Sequence, residues 1–149
     1  MWTLELPPQT RGGGTLTTAA VEARPRSLAT LRLMRVAVSR DEETIEVAFR
    51  FGDGDLAMPQ RAHHALLRVL AQARLNDAGA PPAERGWMYA DDLCRATGIN
   101  AERLYVEVYR ARKQLAALGV GDAAGLFERR SQSRQIRLGV GRVEVTALR

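Results

Sequence analysis

The 149-residue sequence has one cysteine, Cys94, and one lysine, Lys113. A single cysteine excludes an intramolecular disulfide and a multi-cysteine zinc site, and it fits a reducing cytoplasm. No apolar run approaches the roughly 20 residues that a membrane-spanning helix needs. Met1 to Pro8 contain no basic segment followed by an apolar stretch, so a secretory signal is not expected. There is no Gly-Lys-Ser/Thr phosphate loop, no Gly-x-Gly-x-x-Gly after a strand and no Gly-x-Ser-x-Gly elbow. Gly12-Gly13-Gly14 has no strand before it and no helix after it. Without a nucleophile–base set, no catalysis is expected, and no cofactor or metal. With 46% apolar and 26% charged residues, what remains is one soluble globular domain able to bury a core without staples.

Arginine is what the chain has in quantity. Of 22 cations, 21 are arginine, set against 17 acids, for a net charge of +5. The charge is unevenly placed. Residues 1–60 carry seven arginines and eight acids, whereas residues 101–149 carry ten cations and five acids. A basic surface concentrated in one segment suits a polyanion, and planar guanidinium forks suit phosphates and guanine edges. The plain alternative is a solvated surface that keeps the protein soluble.

Four parts follow along the chain. Residues 1–27, with Pro7-Pro8, the glycine triplet and Pro25, read as a flexible N-terminal arm. A short strand at Thr15–Thr18 and phosphate contacts from Arg11, Arg24 and Arg26 are options there. Residues 28–55 read as a β-hairpin. Leu31, Leu33, Val36 and Val38 precede the polar turn Asp41-Glu42-Glu43, and Met34-Arg35 breaks the alternation. Ile45, Val47, Phe49 and Phe51 then alternate strictly. Gly52-Asp53-Gly54-Asp55 reads as a plain turn and lacks the later residues of a calcium loop.

Residues 59–118 read as helical. Pro59 suits a first helical turn, and Ala62, Leu66, Val69, Leu70 and Ala73 make one stripe. After a Gly/Pro loop at 76–86, a second helix starts near Tyr89 or Ala90, carries Asp91 and Asp92 in its first turn, and ends at Gly98. Asn100 can cap a long third helix over about 101–118. Its stripe is Leu104, Val108, Ala111, Leu115 and Leu118, and Arg103, Arg110 and Lys113 form an exposed basic row. The last part, 126–145, reads as an arginine-rich hairpin around Ser131–Arg134, with Val140 to Val145 as a further strand.

Three stretches carry a family resemblance. Leu104-Tyr105-Val106-Glu107-Val108-Tyr109-Arg110-Ala111-Arg112-Lys113-Gln114-Leu115 resembles the recognition helix of the DNA-binding effector domain of OmpR/PhoB-type transcriptional regulators. Leu66-Leu67-Arg68-Val69-Leu70 is similar to that family's first helix, and Asp91-Asp92-Leu93 to the start of its second. Ser131–Leu138 departs from the family's Arg-Gly-x-Gly-Tyr wing, and Tyr89 stands where a serine is usual. The 55 residues before the module are too few for a receiver domain, so none is expected. The resemblance implies an α+β winged helix-turn-helix: a three-helix core, an N-terminal antiparallel sheet and a C-terminal β-hairpin wing. It further implies a bacterial, cytoplasmic, sequence-specific regulator that binds double-stranded DNA, with a homodimer on paired half-sites as an option.

Carried over by position, Arg110 is the first candidate for a base contact, with Val106 and Tyr109 beside it. Arg103, Arg112 and Lys113 are candidates for phosphates, and Arg134 and Arg137 for the minor groove or its backbone. Glu107 has three readings: accepting from cytosine, ordering Arg103 and Arg110, or repelling DNA. Tyr105 and Tyr109 either pack against the hairpin or sheet or touch DNA. His63 and His64, adjacent on a helix, are expected at the surface and not as metal ligands. Cys94 reads as small core packing, and Trp87 as core or wing packing. The rival to DNA binding is a protein-interaction adaptor that docks a partner on the same surface.

Overall fold

Strict alternation of buried and outward residues builds the first sheet. The computed structural model describes residues 26–148. Most of the arm, with the expected strand at Thr15–Thr18, Arg11 and Arg24, lies outside them. β1 (Leu33–Val38) buries Met34, Val36 and Val38, and β2 (Ile45–Phe51) buries Ile45, Val47, Phe49 and Phe51. Met34 therefore continues the alternation that the sequence suggested it broke, and Leu33 faces the other way. β1 and β2 pair antiparallel around the turn at Asp41.

Three expectations for this half are corrected. The acidic turn leads into a third strand, β3 (Gly54–Met58), which pairs antiparallel with β2 and buries Met58. The helix after it, α1, spans His64–Asn76, so Pro59 precedes it by a full turn. Its buried face is Leu66, Leu67, Leu70, Ala71 and Arg74, which leaves Ala62 exposed and Val69 and Ala73 only partly covered. Arg26 and Ser27 belong to the folded unit. The Arg26 backbone bridges to Val120, and the Ser27 hydroxyl donates to Asp122 at 2.9 Å.

The second sheet is built from three short strands. β4 (Met88–Tyr89), β5 (Phe127–Arg130) and β6 (Gln135–Leu138) form an antiparallel sheet in the order β4-β6-β5. α2 (Ala90–Thr97) leaves β4 directly. β7 (Val143–Ala147) corrects the sequence reading, which placed it with the hairpin. It pairs parallel with β1 and completes the first sheet in the order β3-β2-β1-β7. That sheet is mixed, not purely antiparallel. Three helices and two sheets make an α+β fold whose single core runs from Met34 and Phe49 through Leu66, Leu70 and Leu115 to Leu126 and Leu138. Each fully buried leucine contributes about 1.5–3 kcal/mol relative to exposure.

Candidate nucleic-acid interface

The turn between α2 and α3 is set by two residues. Gly98 ends α2 at φ 74°, ψ 24°, a left-handed conformation that glycine adopts without a steric penalty. Asn100 then caps α3 (Ala101–Ala117), its side-chain oxygen accepting from Arg103 N at 2.8 Å. Leu104, Val108, Ala111 and Leu115 bury one face of α3, as their spacing requires. The opposite face is open. Arg103, Val106, Tyr109, Arg110 and Lys113 are all exposed on it.

All three tyrosines of the chain are exposed: Tyr89 on β4, and Tyr105 and Tyr109 on α3. Tyr109 is 62% exposed, and the Lys113 ammonium sits 5.7 Å from its ring centre. Tyr105 has the Arg129 guanidinium of β5 over its ring, 4.8 Å from the ring centre. This contact joins the hairpin to α3. The hairpin tip carries exposed Arg134, held at a positive φ of 57° and close to Asp91 in the first turn of α2. Arg103, Arg110, Lys113, Arg129 and Arg134 are therefore all exposed on α3 and the hairpin that packs against it.

Two of the eight residues singled out from the sequence are engaged inside the protein. Arg112 donates to the carbonyls of Ala124 and Phe127, both at 3.0 Å, and lies over the Phe127 ring. Arg137, with a side chain only 12% exposed, donates to Glu128 and to the carbonyls of Pro82, Ala83 and Arg85. Together with Arg130 it stacks on Trp87, whose indole N–H donates to Ala83 O. The hairpin-packing reading of Trp87 matches this arrangement. The phosphate and minor-groove roles given to Arg112 and Arg137 do not fit side chains so occupied.

Glu107 is buried beneath the basic row, with a side chain 5% exposed. Arg103 Nη2 lies 3.4 Å from its Oε2, and Arg110 Nη1 lies 3.7 Å from its Oε1, an oxygen that no hydrogen bond satisfies. A carboxylate at that depth does not reach a cytosine. Of its three readings, ordering Arg103 and Arg110 is the one that the geometry fits.

His63 and His64 correct the surface expectation, for both are buried. His63 Nε2 donates to Gln114 Oε1 at 2.6 Å, and the Gln114 amide donates to Pro59 O at 2.7 Å. His64 Nδ1 donates to the Ile45 carbonyl at 3.0 Å. The pair ties the start of α1 to α3 and to β2. Burial pushes both imidazole pKa values below the ordinary histidine value. Neither histidine carries a signal that sequence alone reveals, since a polar residue beside a helix start reads as exposed. Among the described residues, no three His, Cys, Asp or Glu side chains gather as metal ligands would, and no helix is long and apolar enough to cross a membrane. Cys94 is buried, and burial raises its thiol pKa.

Comparison with known proteins finds no matching family model, no matching curated protein and no matching solved structure.

Proposed function

We propose that this chain is a sequence-specific double-stranded DNA-binding protein of the winged helix-turn-helix kind, acting as a bacterial, cytoplasmic transcriptional regulator. The observation that carries the reading is the exposed face of α3, where Arg103, Val106, Arg110 and Lys113 stand in a row beside the arginines of the hairpin. The left-handed turn at Gly98 and the cap at Asn100 also suit a helix-turn-helix. An α-helix fits the major groove, where each base pair presents its own donor–acceptor edge. In this arrangement α3 lies in the groove. Arg110 reads a base, Val106 and Tyr109 lie against base edges and sugars, and Lys113 holds a phosphate. Arg129 and Arg134 reach the neighbouring backbone or minor groove from the hairpin. Arg112 and Arg137 hold the hairpin in place and make no contact with DNA.

A second reading has one observation in its favour. Tyr105, Val106 and Tyr109 put exposed apolar surface on α3, and tyrosine is enriched where proteins meet. A protein-interaction adaptor would use that surface.

A salt series separates the two. Affinity is measured by fluorescence anisotropy for duplex from upstream of the gene and for a scrambled duplex. With 4–6 phosphate contacts, log K falls against log salt with a slope of about −4 to −5, and the upstream duplex binds more tightly. The double variant Arg110→Glu, Lys113→Glu loses binding by more than about 100-fold, with an unchanged circular dichroism spectrum. Retained affinity in that variant sinks the DNA reading, and no binding at low salt favours the adaptor.

A further inference from the structure

Glu107 is an acid buried beneath a basic surface. Burying a carboxylate is costly unless it is well paired, and a buried ion pair is a poor route to stability. Its geometry points to another use. One carboxylate lies within ion-pair distance of one nitrogen each of Arg103 and Arg110, at 3.4 and 3.7 Å, four residues before it and three after it, and its Oε1 makes no hydrogen bond. Both arginine side chains nevertheless remain about half exposed, at 49% and 56%, so the rest of each fork is free.

The two arginines are seven residues apart, two turns along one helix face. At 1.5 Å per residue that is roughly 10.5 Å. Base pairs follow one another every 3.4 Å or so along each strand, and the separation therefore spans about three base-pair steps. Val106 lies on the same row between them and is 40% exposed. A guanidinium bonds guanine O6 and N7 as a fork, and an apolar side chain meets the thymine methyl group. A fork drawn toward a fixed carboxylate ranges less widely than a free one, which lowers the side-chain freedom that binding has to remove.

We infer that Glu107 is a positioning residue that presents Arg103 and Arg110 as a fixed pair, and that the preferred duplex carries two guanines about three base pairs apart with a thymine between them. Arg103, assigned to a phosphate on the sequence, becomes a base reader beside Arg110. The inference rests on the DNA reading above and adds to it the base composition of the site and the residue that enforces it.

The test is selection of duplexes from a randomised library by the full chain, followed by affinity measurements. The selected duplex is compared with versions in which one guanine or the other is replaced by adenine, each with its complement. The wild-type chain selects the spaced guanines and loses about tenfold on either replacement. Glu107→Gln, nearly the same shape but uncharged, binds all duplexes at least as tightly, while its discrimination falls at least threefold. Arg103→Lys and Arg110→Lys keep the charge and lose the fork. Each loses discrimination at one guanine only, with the salt slope unchanged. These two exposed substitutions decide the matter if Glu107→Gln fails to fold. Selected sites without spaced guanines overturn the inference alone. So does full discrimination in a folded Glu107→Gln variant, or in both lysine variants. A wild-type chain that binds no duplex overturns the DNA reading and the inference with it.

Discussion

Arginine has two fates in this molecule. Arg103, Arg110, Arg129 and Arg134 stand on α3 and the hairpin with exposed forks. Arg74, Arg112 and Arg137 point inward and spend their donors on backbone carbonyls: Leu138 for Arg74, Ala124 and Phe127 for Arg112, and Pro82, Ala83 and Arg85 for Arg137. Residue type is the same, and the difference lies in what surrounds each side chain. An inward guanidinium presents several donors to carbonyls of neighbouring segments, and thereby clamps loop to strand. An outward one stays hydrated until a ligand replaces the water. Net charge alone therefore overstates the basic face, because part of the excess belongs to the scaffold.

The sharpest way to break this division is at Arg74. Its guanidinium donates to Leu138 O at 2.8 Å, and its stem packs so closely under Gly86 that a Cβ there would lie 2.5 Å from Arg74 Cγ. Arg74→Ala leaves the carbonyl unpaired and a void behind it, and should destabilise the fold by about 2–4 kcal/mol in urea unfolding. Gly86, at φ 82°, should tolerate no larger residue for the same reason. A pair of variants on α3 sharpens the contrast further. Arg112→Ala should lower stability by about 1–2 kcal/mol and leave DNA affinity within twofold of wild type. Arg110→Ala should do the reverse, with affinity down about tenfold and stability unchanged. Equal effects of the two on DNA binding would erase the distinction.

The smallest effect is a dependence on pH. The folded-state pKa values of His63 and His64 are lowered, chiefly by burial. As pH falls below about 6.5, the unfolded chain takes up these protons before the folded one does. Stability is full above that pH and declines as pH drops toward the folded values. Thermal melts between pH 8 and 5 should show the decline, and His64→Gln should flatten it. A slope unchanged in that variant would assign the dependence to other groups.

The parts of the fold legible in the sequence are those written locally. The turn at Gly98, the cap at Asn100 and the period of α3 depend on neighbours a few residues away, and so does the polar tip of the hairpin at Ser131–Arg134. What was not legible depends on partners far along the chain. Nothing in Val143–Ala147 states which sheet it joins, because its residues are all half-buried or exposed. The burial of His63 depends on Gln114, 51 residues away. Of the candidate site, the row Arg103, Val106, Tyr109, Arg110 and Lys113 follows from helical spacing once α3 is placed. That Arg112 and Arg137 turn inward does not, since a helix or strand pattern gives a direction but not the carbonyls waiting there.

The parallel pairing of β7 with β1 also has a consequence in time. Arg35 and Glu144, 109 residues apart, face each other across this pairing. At roughly 5–20 residues per second of synthesis, β1 leaves the ribosome about 5–20 s before its partner exists. During that interval one edge of β1 has no neighbour and is open to pairing with another chain. Arg35, placed on this edge and matched to Glu144, puts a charge where a wrong strand would have to dock.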